Sequence, residues 1–226
     1  MDPIRANHPC GQCAFYSNSV WQPVSGAAVK VLRRGFKRRD LEMGEFVYGQ
    51  GEDNKGVFCV SRGLIALRSH QVDGSSTMLR LAYPGDVIGF RSFLRSGHHQ
   101  TEAVAILPSR VCRVSHGNIS HLVRTNPEVL ARLATRCIDE IDRSHARIVA
   151  MSTRSNKERL SDLLGALLER YGRRIGDQVQ MHLPMLRKDL ADLIGVPPET
   201  LSRLLKRLQA DGSFGVKGRT VSTRVS

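Results

Sequence analysis

Two runs of helical periodicity held apart by three residues constrain this chain more than anything else in it. Met185–Ile194 reads MLRKDLADLI and Pro198–Leu208 reads PETLSRLLKRL, with Gly195-Val196-Pro197 between them. Gly195 can take the positive φ that so tight a turn needs, and the prolines pre-set the start of the second helix. Leu190, Leu193, Ile194, Val196, Leu201, Leu204 and Leu205 fall on facing sides and predict a small shared core. Glu199, Ser202, Arg203 and Lys206 are then left on the outer face of the second helix, near its N-terminal end. Beyond it, Ser213–Val221 alternates in character and carries a Lys217-Gly218 turn, which predicts a two-stranded wing.

A helix-turn-helix of this kind lays its second helix in the major groove of double-stranded DNA. The side chains suit that place. Arg203 can donate two hydrogen bonds to guanine O6 and N7, and Glu199 can accept from a cytosine amino group. Ser202 can bond a base or a phosphate. Lys206, Arg207, Lys217 and Arg219 read as phosphate contacts, which position without specifying, and Arg187 in the first helix joins the DNA-facing set. The charge agrees: 34 Lys and Arg against 21 Asp and Glu leave the 226-residue chain at +13, a balance that favours a polyanionic partner. No apolar run reaches the roughly 20 residues that span a bilayer, and the opening MDPIRANH has no hydrophobic signal core. The expectation is a cytoplasmic protein with no membrane partner. No carboxylate pair, nucleophile–base set or phosphate-cradling glycine loop argues for an enzyme.

Upstream the texture differs. From about Val29 to Val114 short apolar runs such as Gly56-Val57-Phe58-Cys59-Val60 and Ala103-Val104-Ala105-Ile106-Leu107 are broken by turns such as Asp73-Gly74 and Pro84-Gly85. Many short strands with Gly and Pro turns predict an antiparallel sandwich or barrel. Asn126-Pro127-Glu128 then reads as a helix start, with Asn126 as the cap. After it, Leu130, Ala134, Cys137, Ile141, Ser144, Ile148 and Met151 step by alternate fours and threes, the seam of a coiled coil and of a parallel homodimer. Leu133, Ile138 and Val149 lie off that seam and are expected to pack on the sheet domain. The fold class is therefore α+β. The expected layout is a cysteine segment over 1–20, an antiparallel β-roll (cupin-like) sensor domain over 21–122, a dimerisation helix over 123–152 and a winged helix-turn-helix over 153–226.

This order of parts resembles the CRP/FNR family of bacterial transcription regulators. Glu199, Ser202 and Arg203 match the family's E-x-x-S-R recognition pattern. Gly85–Phe90, Ser96–His99, Val111–Arg113 and Asn156–Leu160 are similar to the FNR branch. The resemblance implies a regulator that binds a near-palindromic, TTGAT-like site as a homodimer, with RNA polymerase as a further partner. It implies no cyclic nucleotide, because Gly89-Phe90-Arg91 and Gln100-Thr101 stand where that branch keeps an acid and a phosphate-binding arginine. It also gives the cysteines a meaning. FNR proteins hold a [4Fe-4S] cluster on three N-terminal cysteines and a distant one; Cys10, Cys13 and Cys112 match three of these, and Ser19 stands in the fourth place.

Three readings of these cysteines remain open: a cluster with an unusual fourth ligand, oxygen- or redox-responsive; a thiol switch between Cys10 and Cys13, with or without Cys112; or a segment that no longer senses, in a protein that answers a different small effector or is always on. Cys59, His8 and Ser19 are the possible fourth ligands, Cys59 being equally readable as a buried apolar residue. Cys137 sits in the seam, as a small core residue or an inter-subunit thiol. His98 and His99 read as polar loop residues, since no third ligand is near.

Overall fold

The computed structural model of the chain describes residues 8–22 and 25–224. The first seven residues, which carry part of the expectation about a leader, lie outside that range. The chain divides into two compact units, one up to Asp142 and one from Arg143 onward.

The first unit is built on two four-stranded antiparallel sheets. One orders β1 (Phe36–Leu41), β8 (Ser109–Ser115), β3 (Gly56–Arg62) and β6 (Val87–Ile88); the other orders β2 (Phe46–Tyr48), β7 (Glu102–Ala105), β4 (Ile65–His70) and β5 (Ser76–Ala82). Phe58, Val60 and Val111 of the first sheet share a core with Ile65, Leu67 and Ala103 of the second. The first sheet is covered on its outer face as well. There Val57 and Val114 meet Trp21, Leu32 of α1 (Gly26–Gly35), and Ile119 and Leu122 of α3 (His116–Thr125). Burial on both faces explains why β3 is a continuous apolar run with no alternation. A five-residue helix, α2 (Phe90–Leu94), lies between these elements in sequence.

Three expectations need correcting. The strand texture assigned from Val29 begins only at Phe36. Residues 26–35 form a helix because the Ser25 hydroxyl caps it, accepting from the Ala28 N–H at 3.2 Å, and because Ala28, Val29, Leu32 and Gly35 recur at helical spacing on its buried side. Asn126 closes the preceding helix as well as standing before the next: its backbone N–H donates to Leu122 O at 2.7 Å, its carbonyl accepts from the Val129 N–H at 2.9 Å, and its side-chain amide turns back to donate to Thr125 Oγ1 at 2.9 Å. Of the off-seam residues on α4 (Pro127–Thr153), only Leu133 packs as expected, together with Val129. Ile138 and Val149 are 57% and 58% exposed. At about 100° per residue they fall on the side of the helix opposite Val129 and Leu133, and so widen the exposed apolar stripe of Leu130, Ile141 and Ile148.

The second unit holds α5 (Asn156–Tyr171), α6 (Arg187–Ile194), α7 (Pro198–Ala210) and a four-stranded sheet ordered β11 (Gly215–Lys217), β12 (Thr220–Arg224), β10 (Gln178–His182) and β9 (Arg173–Ile175). Ser155 and Glu158 form a reciprocal capping box at the start of α5. The helix α6 starts two residues later than its periodicity predicts. Asp189 explains this: its buried carboxylate accepts from the Leu186 N–H at 2.9 Å and holds Leu186 extended, outside the first turn.

Candidate nucleic-acid interface and metal centre

The turn between α6 and α7 is built as its residues require. Gly195 has φ +71°, and the Val196 N–H returns to Ala191 O at 3.0 Å. Pro197 is extended and Pro198 opens α7. Leu201, Leu204, Leu205 and Leu208 are buried on one side of α7, which leaves Glu199, Arg203, Lys206 and Arg207 exposed on the other. Ser202 is half-buried, and its hydroxyl donates back to Pro198 O at 3.1 Å. Its lone pairs stay available to a donor, but its proton is engaged.

The wing residues divide. Lys217 is exposed at the β11–β12 turn. Arg219 is exposed as well, but one guanidinium nitrogen donates to Leu183 O at 2.8 Å. Arg187 donates to Gly218 O at 3.3 Å, which ties the wing turn to the start of α6. The end of α4 is anchored in this same unit. Arg147 donates to Asp192 O at 2.7 Å, and a Cβ on Gly195 would meet Met151 Cε at 2.9 Å. Neither contact was visible in the periodicity of α4.

In the first unit the cysteines come together. A cavity of about 330 Å³ is lined by Cys10, Cys13, Cys59 and Cys112, with Ser19, Trp21 and Arg38 also on its wall. Cys10 belongs to a short 3-10 turn, Pro9–Gln12, whose cap is His8: Nδ1 accepts from the Cys10 N–H at 3.1 Å. The His8 ring packs edge-on against Phe36 at 4.7 Å and is not on the cavity wall. Cys59 and Cys112 are direct partners across β3 and β8. Ser19 Oγ accepts from the Trp21 backbone N–H at 3.2 Å. Trp21, 1% exposed, stands on the same cavity wall as Cys59.

The electrostatics follow from that crowding. Burial pushes the Cys10 thiol up, and the neighbouring Cys59, Cys112 and Cys13 push it further. Cys59 is pushed up to about 12, by burial first, with Trp21 opposing and Cys112 and Cys13 adding to the rise. Buried thiols that disfavour one another's ionisation need a bound cation to become thiolates together. A switching thiol needs the opposite shift. All five cysteines are free thiols. Among the described residues no three His, Cys, Asp or Glu side chains converge on a single-ion site. The four thiols line a cavity instead of meeting at a point. Thiolate donors around such a volume are the chemistry an iron–sulfur cluster uses, so the residues present fit one.

The histidine pair does not come together. His98 faces Asp53 at 2.9 Å on the surface. His99 is buried, stacked on Tyr48 at 3.7 Å with Nδ1 2.9 Å from Ser92 Oγ. Gly89, Phe90, Arg91, Gln100 and Thr101 line a cavity of only about 40 Å³ together with Arg80 and Glu140. Glu140, from α4, reaches Arg91 at 3.3 Å and Arg80 at 3.7 Å.

Comparison with known proteins agrees with both halves of this geometry. Residues 38–126 match the cyclic nucleotide-binding domain family, and residues 158–224 match the Crp-like helix-turn-helix domain family. The nitrogen fixation regulation protein FixK of Bradyrhizobium diazoefficiens is 26% identical over 209 residues, 92% of this chain and 87% of that one. The fumarate and nitrate reduction regulatory protein of Escherichia coli is 26% identical over 186 residues, 82% of this chain and 74% of that one. The chain belongs to the CRP/FNR family. Among solved structures, FixK2 from Bradyrhizobium japonicum superposes with a TM-score of 0.66 at 26% identity, covering 84% of this chain and 93% of that one. The c-di-GMP responsive global regulator CLP of Xanthomonas campestris shares the fold, with a TM-score of 0.71 at 18% identity over 89% of this chain and 100% of that one. This CRP/FNR protein is therefore a transcription regulator with a helix-turn-helix DNA-binding domain, and the relatives named are regulators, not enzymes. No helix among the described residues is long and apolar enough to cross a membrane.

Trp21, Arg38 and Glu140 are the residues that sequence reasoning missed. Nothing in their local pattern marks them. Strand register and helix phase bring them to the cavities.

Proposed function

We propose that this CRP/FNR regulator is a homodimer that reads a near-palindromic, TTGAT-like DNA site and is switched at its cysteine-lined cavity by an iron–sulfur cluster that responds to oxygen or redox state. In this reading 1–20 and 21–122 form the sensor, 123–152 is the dimerisation helix, and 153–226 reads DNA. RNA polymerase is the further partner. Cyclic nucleotide is not the effector. The pocket beside Gly89 and Thr101 has about 40 Å³ of space, and two of its arginines, Arg80 and Arg91, are already paired with Glu140.

The DNA reading is supported chiefly by one surface: Glu199 and Arg203 stand exposed on α7 above a leucine face that is wholly buried. Two such helices on a dimer would enter successive major grooves roughly 34 Å apart. Lys206 and Lys217 are free to meet phosphates. Arg187 and Arg219 spend at least one bond each inside the protein. The dimer is supported by the exposed stripe of Leu130, Ile141, Ile148 and Met151, with Ala134 and Ser144 between them. Cys137 lies at its edge, half-buried against the unit's own core. The cluster reading is supported by four thiols from separate stretches of chain on one cavity wall. Cys10, Cys59 and Cys137 pack against the same apolar cluster as Val129 and Leu133 of α4, and Arg132 of α4 donates to Val20 O at 3.2 Å. A change at the cavity is thus felt by the dimerisation helix. It shifts the regulator only so far as its two states differ in stability.

Selection of bound sequences from random duplexes tests the reading. Paired half-sites one helical turn apart should be enriched, and Arg203→Ala should cost about 1–3 kcal/mol and relax preference at one guanine. Loss of equal size on every sequence would show that Arg203 does not read a base.

A further inference from the structure

We infer that Cys59 supplies the fourth thiolate of the cluster site, in place of the residue at position 19. The inference rests on the cluster reading above and concerns which side chains complete it.

Register carries the argument. Arg38 pairs with Cys112 across β1 and β8, and Cys112 pairs with Cys59 across β8 and β3. Partners directly opposite in adjacent strands project to the same face, with Cβ atoms about 4.5–5.5 Å apart. Three neighbouring strands therefore set one guanidinium and two sulfurs in a row. The face they share is the outer one, where Cys10, Cys13 and Trp21 line the same cavity. Two thiols come from the rigid sheet and two from the short turn laid over it. All four belong to one compact unit.

Position 19 offers less. A serine hydroxyl is not a thiolate, and Ser19 Oγ is engaged by the Trp21 N–H, which shapes the local turn. His8 is the weaker candidate as well, since it does not line the cavity and its Nδ1 caps the Cys10 turn. Cys59 in addition shares the cavity wall with Trp21, whose indole N–H is a donor of the kind a cluster ligand's sulfur uses. Hydrogen bonds to ligand sulfur are among the determinants of cluster potential. Arg38, in the same row, places a positive charge beside a group that several thiolates would make anionic. On binding, each thiol releases its proton to solvent and bonds one iron.

The test is anaerobic reconstitution of the full chain with iron and sulfide, read by iron and acid-labile sulfide content and by visible absorbance. Wild type and Ser19→Ala should each take up about four irons and four sulfides per chain. Cys59→Ala and Cys59→Ser should lose the visible band and most of the iron, while their apoproteins melt as cooperatively as wild type. Trp21→Phe should keep its iron and show a lower reduction midpoint. Wild-type content in both Cys59 variants would overturn the inference and leave the cluster reading standing, as would loss of the cluster in Ser19→Ala alone. A wild-type protein that takes up no iron and sulfide, or takes up only zinc, would overturn the cluster reading itself.

Discussion

His99 is 3% exposed, and burial lowers its pKa to about 4. Its ring lies flat on Tyr48, so the neutral imidazole is the form the fold accepts. In the unfolded chain the same group titrates near 6.5. The unfolded state therefore binds more protons between those values. The contribution of neutral His99 is complete above pH 6.5 and is lost as pH falls through 4, up to about 3 kcal/mol at about 1.4 kcal/mol per pKa unit. Urea melts at pH 7 and pH 5 should show the wild type losing stability on acidification and His99→Gln losing distinctly less. Equal losses would mean that other groups carry the acid sensitivity. The same scale separates the arginines. Arg203 has an open path to a base, whereas Arg219 holds Leu183 O and acts first to fasten the wing.

At the scale of elements, the helix-turn-helix depends on one left-handed residue. Gly195 sits at φ +71°, where a Cβ costs about 1–2 kcal/mol, and that Cβ would also press on Met151 Cε at 2.9 Å. Gly195→Ala should therefore destabilise the DNA-binding unit by at least the backbone cost, measured as a lower melting temperature and weaker DNA binding. Adding Met151→Ala should recover the contact term and leave the backbone term. Full recovery in the double variant would show that the turn is not strained. The Arg147 bond to Asp192 O fixes the last turns of α4 on α6, so the pose of the recognition helix follows that end of α4.

For the whole molecule, α4 is the element that matters, because its 27 residues serve both units. Its start packs under the cysteine cavity, and its end holds the turn of the DNA-reading motif. Between them lies an apolar stripe exposed in the single chain, with Ile141 53% and Ile148 61% exposed. Ile141→Asp should leave the far-UV spectrum of the chain unchanged, convert a dimer to a monomer in sedimentation, and weaken binding to a two-half-site duplex by tenfold or more. An unchanged sedimentation coefficient would exclude this stripe as the interface.

Local pattern alone determined a good deal. The Gly195-Val196-Pro197 turn, the leucine face of α7, the wing and the strand-rich first unit are all legible in it, because each depends on contacts between near neighbours or on a short period. Where a local signal is weak, it misleads: the Ser25 cap opens a helix in a stretch that reads as strand, and Asn126 ends one helix as it precedes the next. The cysteines are candidates on sequence and resemblance alone, but that four of them share one cavity is not legible there. Cys10 and Cys13 announce themselves by spacing, but Cys59 is indistinguishable in sequence from any apolar residue of a buried strand. Its partnership with Cys112 exists only through the register of β3 on β8, a pairing across about fifty residues that no local period encodes. The same holds for Ile138, whose exposure was decided by which side of α4 the sheet unit took. The tertiary structure made those choices, because burying Val129 and Leu133 on one side of a helix leaves whatever lies opposite to solvent or to a partner.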